Sequence, residues 1–142
     1  MYRLYSFINC YLSSIQQGIQ TAHLVSEILT NPRNDSSNYI DIWARNHKTI
    51  IVCNGGNNKS LMEIYDLFQE RNNIFPWVTF YEDMESLDSI LTGIGIILPD
   101  DIYDSTFDYV NKVWVTKSGL IYVSDTYQYR LIDMIKHVKL SI

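Results

Sequence analysis

Gln16, Gln20, His23 and Glu27 recur at helical spacing in the segment that opens at Ser13-Ser14, so a helix would set them in one row. An amide donates and accepts at once, and an imidazole takes either role. The row therefore suits hydrogen bonding to a ligand. An amide-rich solvent face would carry the same residues, and periodicity alone does not separate the two readings. The opposite row, Ile15, Ile19, Ala22, Val25 and Leu29, is the side expected to be buried.

Such a row needs elements to position it. Residues 2–9 are apolar or aromatic on both alternating sets, as in a strand buried on both faces. Ser13 or Ser14 caps the helix that follows, and Asn31-Pro32 stops it near Thr30. After a polar loop (31–38) and a short helix from Tyr39 to about Arg45, residues 48–53 form a β-branched second strand. Asn54-Gly55-Gly56-Asn57-Asn58 is a turn cluster. Ser60 and Glu63 make a capping box for a helix with the apolar stripe Leu61, Ile64, Tyr65, Leu67 and Phe68. Gly55-Gly56 matches neither the dinucleotide nor the phosphate-loop pattern, so it reads as a turn. A third strand (74–81), an acidic loop from Glu82 to Asp88 and a fourth strand (92–99) follow; Gly93 and Gly95 in the last suggest close backbone approach or a bulge. Strands alternating with helices give an α/β layer fold: one domain, a four-stranded mixed sheet with helices on both faces. The alternation then breaks. Residues 113–123 read as a hairpin turning at Gly119, and a helix over 126–136, capped by Asp125, closes the chain.

With 142 residues, 46% of them hydrophobic, the chain can bury one good core. No apolar run reaches the roughly 18 residues that span a bilayer, and no signal peptide is evident. No membrane role and a cytoplasmic location are the simplest expectations. Cys10 and Cys53 each lie in an apolar, strand-like run without metal-ligand spacing, which points to reduced structural thiols, no metal and no cofactor. A net charge of -5 with scattered Lys and Arg disfavours a large nucleic-acid footprint.

Several patterns together resemble the class II, archaeal and eukaryotic type, peptidyl-tRNA hydrolases. Their first helix carries Gly-Lys-x-Ala-Ala-Gln-x-x-His-Ala, and Gln20-Thr21-Ala22-His23-Leu24 keeps the Gln and the His at that separation. Residues 48–52 look like the family's second strand and 61–68 like the helix after it. Asp83 matches the loop aspartate after the third strand, and 94–99 the last strand with its closing proline. Residues 131–140 are similar to the closing helix and tail. The likeness covers roughly residues 2–99 and 129–140.

The departures fall on the site. The family's lysine at the helix entrance has no counterpart among Ser14, Ile15, Gln16 and Gln17. The glycine and threonine of its Asp-x-Gly-x-Thr loop are Glu85 and Leu87 here, Thr92 stands in for a later threonine, and residues 100–128 are an insertion. If the chain is an enzyme, the resemblance implies ester hydrolysis at a tRNA 3' end, with Asp83 and His23 as catalytic residues and Gln20 or a helix N-terminal amide beside the oxyanion. The missing lysine and the acidic loop favour a different expectation. This is a non-catalytic protein that binds, and by analogy sequesters, a small nucleotide-like ligand through Gln16, Gln20, His23, Asp83 and Thr92. Because the hairpin from Lys112 to Val123 is apolar or aromatic on both faces, it is expected to build a homodimer or higher symmetric assembly, with Trp114, Tyr122, Tyr103 and Tyr109 toward the partner.

Overall fold

The computed structural model describes residues 1–35, 38–84 and 87–138, with no description of the side chains of residues 83–89. Its centre is a four-stranded mixed sheet ordered β2-β1-β4-β3. β1 (Tyr2–Ile8) runs parallel to β2 (Thr49–Asn54) and antiparallel to β4 (Leu87–Pro99), which pairs with β3 (Trp77–Met84). The helices are α1 (Ser14–Thr30), α2 (Tyr39–Ile42), which runs into a π-helical turn at Trp43–His47, α3 (Asn58–Phe68), α4 (Asp100–Tyr103) and α5 (Tyr127–His137). None of the described helices is long and apolar enough to cross a membrane.

Alternation along β1 sorts the core into two layers. Leu4 and Ile8 join Leu24 and Ile28 of α1, Trp43, Val78 and Ile97 on one face. Tyr5 and Phe7 join Leu61 and Phe68 of α3, Leu131, Ile132 and Ile135 of α5, and Ile94, Ile96 and Leu98 on the other. The α/β sandwich with helices on both faces therefore follows from a central strand that is apolar on both sets.

The structure corrects the expected orientation of α1. Ile15 and Ile19 are 78% and 49% exposed, and Ala22 and Leu29 are exposed too; the buried residues are Gln20, Thr21, Leu24 and Ile28. The cause lies in the sheet. Ser6 of β1 and Thr92 of β4 are buried hydroxyls beneath this helix, and an apolar face against them would strip Ser6 of its partner and leave Thr92 only a 3.3 Å contact to the Phe80 carbonyl. Thr21 meets Ser6, hydroxyl to hydroxyl, at 2.9 Å, and Gln20 meets Thr92. Gly93 and Gly95 let the helix approach: a Cβ on Gly93 would stand 3.1 Å from Leu24 Cδ1.

Several local expectations shift as well. Asn57, not Ser60, caps α3, accepting from the Ser60 N–H at 2.9 Å, and Thr126, not Asp125, caps α5. The acidic stretch is not an open loop: Glu82, Asp83 and Met84 extend β3, and β4 begins at Leu87, while Glu85 and Ser86 lie outside the described residues. Cys10 is exposed in the turn after β1 rather than in a strand; Cys53 is buried, and burial pushes its thiol up to about 12. Lys139 and Leu140 of the tail also lie outside the described residues.

The insertion forms a three-stranded antiparallel sheet, β5 (Thr106–Asp108), β6 (Val113–Val115) and β7 (Ile121–Tyr122), turning at Gly119 with φ +94. Val113 and Trp114 are buried within the chain itself, Trp114 against Phe107 and Tyr129. Trp114 and Tyr103 are buried and therefore do not face outward as expected, whereas Tyr109 is exposed; Leu120, Ile121 and Val123 are the exposed apolar residues of the hairpin. Polar contacts tie the hairpin turn to α4: the Lys117 ammonium donates to Asp100 at 2.8 Å, and the Ser118 N–H to Asp101 at 2.6 Å. The Lys117 ammonium, with the amino terminus beside it, draws the Asp100 carboxyl down from 3.8 to about 2. A carboxyl with a lowered folded pKa stabilises the fold above its ordinary value, and that contribution fades as pH falls from 3.8 toward about 2. Asp100→Asn should accordingly flatten the acid limb of the stability curve in that window, as read by thermal melts at stepped pH. An unchanged slope would show that the pair contributes nothing.

Candidate functional site

The residues singled out on α1 meet the sheet at a β-bulge. Phe80 pairs with Gly93 and Tyr81 with Leu91, so Thr92 stands outside the β3–β4 ladder, and bulges commonly re-aim such a side chain. The Thr92 hydroxyl donates to Gln20 Oε1 at 2.9 Å, and the Gln20 amide NH2 donates to a Glu82 carboxylate oxygen at 3.0 Å. These two bonds also fix the amide's orientation, because the reverse assignment would set its oxygen against a carboxylate. A second acceptor, the Phe80 carbonyl, lies 3.3 Å from the Thr92 hydroxyl. The one hydroxyl proton can serve only one of them well, and the shorter contact is to Gln20.

His23 sits beside this group, stacked on Phe80 with ring centroids 4.2 Å apart and planes 15° from parallel. Its outer side is exposed. Gln16 does not join them: its side-chain oxygen accepts from the Ser13 N–H while Ser13 Oγ accepts from the Gln16 N–H, closing the capping box of α1. Asp83 follows Glu82 in β3, and its side chain is outside the description. The structure thus brings Gln20, Thr92 and His23 together and leaves Gln16 apart. Gln20 is 4% exposed and Thr92 5%, so their polar atoms serve each other and Glu82 rather than an open cleft.

A pocket lies elsewhere, at the carboxyl ends of the two parallel strands. Here the loops after β1 and β2 are knit together. The Gly55 N–H donates to the Ile8 carbonyl at 2.7 Å, the Cys10 N–H to the Gly56 carbonyl at 2.9 Å, and the Asn9 side-chain amide to Asn58 Oδ1 at 2.8 Å. Gly56 turns with φ +75, a conformation that glycine adopts at no steric cost. Between this loop, α3 and the end of α5 is a cavity of about 400 Å³. Ile64, Leu67, Met134 and Val138 give it an apolar floor, and Asn54, Ser60, Glu63 and His137 a polar rim.

The rim has a definite chemistry. His137 Nδ1 lies 2.6 Å from the Asp133 carbonyl, an acceptor, and 3.8 Å from the Asp133 carboxylate, so a proton on Nδ1 serves that side of the ring. The Glu63 carboxylate is an acceptor on the rim. None of the lining residues is Lys or Arg. The rim therefore suits a ligand that offers hydrogen-bond donors and carries little negative charge.

Sequence reasoning reached the Gly55-Gly56 turn and took it as no more than a turn. It missed Glu63, Met134 and His137 as wall residues, since nothing local says that α5 closes over a loop some eighty residues earlier in the chain. Among the described residues no cluster of three His, Cys, Asp or Glu could hold a metal. No protein-family model and no curated protein matches the chain.

Proposed function

We propose that the chain is a non-catalytic binding protein whose ligand, a flat molecule of nucleobase or nucleoside size, occupies the pocket at the carboxyl end of β2. One observation carries this reading. The pocket joins an apolar floor to acceptor groups on its rim, at the end of the parallel strands where open α/β sheets bind ligands. The finer reading of the frame as that of a class II peptidyl-tRNA hydrolase rests on the order of its elements, strand, helix, strand, helix, two strands and a closing helix. Hydrolysis finds less support. Gln20 and Thr92 are engaged with each other, and the pocket rim lacks a cation for a phosphate backbone. The absence of Lys and Arg also narrows the ligand from a nucleotide to an uncharged nucleoside.

Equilibrium dialysis against adenosine, guanosine, cytidine and uridine and their 5'-monophosphates tests the proposal. A nucleoside should bind more tightly than its monophosphate. Glu63→Gln, which alters an exposed rim group, should weaken that binding by about tenfold while leaving the melting temperature unchanged. No nucleoside binding at millimolar concentration, or efficient turnover of an N-blocked aminoacyl-tRNA that vanishes in Asp83→Asn, would sink it.

A further inference from the structure

The insertion builds a second cavity, of about 280 Å³, on the other side of His137. Its walls are Phe107, Tyr109, Trp114 and Tyr129, with Asp133 and His137 at the edge. The rings stand nearly edge to face: Phe107 and Tyr109 have centroids 5.0 Å apart at 77°, Phe107 and Trp114 5.0 Å at 68°, and Trp114 and Tyr129 6.5 Å at 63°. Perpendicular neighbours turn ring faces in several directions, and each face is the negative part of an aromatic quadrupole. The Asp133 side chain, 47% exposed, adds a full negative charge at the mouth. No Lys or Arg lines the cavity.

The chain's own cations lie over other rings. Arg3 stands over Tyr103 at 4.0 Å, Arg33 over Trp77 at 4.5 Å and Arg130 over Tyr127 at 5.5 Å. Among the described residues none of these contacts falls on the four rings of the cavity. Packing alone explains Trp114, which is buried, but not Tyr109, which is 78% exposed at the rim. Tyr109 packs edge-on against Phe107 and leaves most of its ring open to an occupant at the mouth.

We infer that this cavity is a binding site for a methylated ammonium group, the occupant that four aromatic rings and one carboxylate recognise together. Cation–π attraction supplies the affinity and Asp133 the long-range pull. Methylation matters because a bare ammonium holds its water through three N–H donors, which one carboxylate cannot replace. A quaternary ammonium has no such donors and gives up its hydration more readily. Two sources share this chemistry: a free molecule such as choline, and the side chain of a trimethylated lysine on another protein. The site is separate from the nucleoside pocket, shares only His137 with it and does not depend on it.

Calorimetric titration of the full chain with tetramethylammonium, choline, a trimethyllysine peptide and the unmodified lysine peptide tests the site, with the neutral tert-butyl analogue of choline as control. Choline should bind at least tenfold more tightly than its neutral analogue, and the trimethylated peptide more tightly than the unmodified one. Tyr109→Ala and Asp133→Asn should each weaken binding roughly 5- to 30-fold with the melting temperature unchanged. A peptide preferred over choline identifies a protein partner, and the reverse a free metabolite; either supports the site. Equal binding of the neutral analogue would reduce the cavity to an apolar hole. Absence of binding by every methylated ammonium at millimolar concentration, or full affinity in Tyr109→Ala, would overturn the inference.

Discussion

Alanine at Gly55 should destabilise the protein by about 3 kcal/mol, measured as a lower urea midpoint with an unchanged slope. The added Cβ would stand 2.7 Å from Leu61 Cδ2, 2.9 Å from the Ile8 carbonyl oxygen and 3.0 Å from the Ile8 nitrogen. Leu61 has rotamers to try; the Ile8 backbone has nowhere to go. Ile8 belongs to β1, which is held on both sides by β2 and β4, and its carbonyl accepts the Gly55 N–H at 2.7 Å. Relief therefore means breaking the end of the parallel ladder and the loop that lines the pocket between α3 and α5. Gly18 is the internal control. It lies on the exposed side of α1, where an added methyl group would meet nothing within 4 Å, so Gly18→Ala should stabilise by about 0.5–1 kcal/mol. A loss under about 1 kcal/mol in Gly55→Ala would mean that the loops after β1 and β2 are not locked together.

Apart from α4 and β5, which the sequence did not announce, the order of elements was legible because each carries its own local signature. β1 is apolar on both sets, the Ser13 cap and Asn31-Pro32 bracket α1, and Gly119 marks a turn. The glycine pair Gly93 and Gly95 pointed to close backbone approach or a bulge, and the structure has both. The orientation of α1 was not legible. Ile15, Ile19 and Leu29 form the more apolar row, and a rule that buries the most apolar row must choose it. What overrides the rule is a demand from other elements: the buried hydroxyls of Ser6 and Thr92 need partners, and only Gln20 and Thr21 on this helix supply them. The same limit hid both cavities. His137 lies in the last turn of α5, where its sequence neighbours suggest only a favourable charge at the helix end, yet it borders both.

Gln20→Ala should cost about 2–3 kcal/mol in unfolding free energy, which sets it apart from a residue that merely faces ligand. Two losses add. Truncation leaves a void under α1, and it strips the buried Thr92 hydroxyl of its 2.9 Å acceptor, leaving the longer contact to the Phe80 carbonyl. The bond to Glu82 contributes little, because that carboxylate is exposed. A double-mutant cycle separates packing from hydrogen bonding. Gln20→Met keeps the length of the side chain but removes both polar ends, and Thr92→Val keeps the shape of the threonine but removes its hydroxyl. Gln20→Met leaves the Thr92 hydroxyl only its longer contact to the Phe80 carbonyl, and Thr92→Val strands the Gln20 carbonyl oxygen; the double change does neither. The pair should therefore be less destabilised than the sum of the two by about 1–2 kcal/mol. If Gln20→Ala instead melts like the parent protein, the side chain faces an open cleft as helical periodicity suggests, and the oxyanion role that the hydrolase resemblance implies regains its candidate. A stability loss with positive coupling commits the amide to the fold, and hydrolysis would then need a different stabilising group, such as a helix N-terminal N–H.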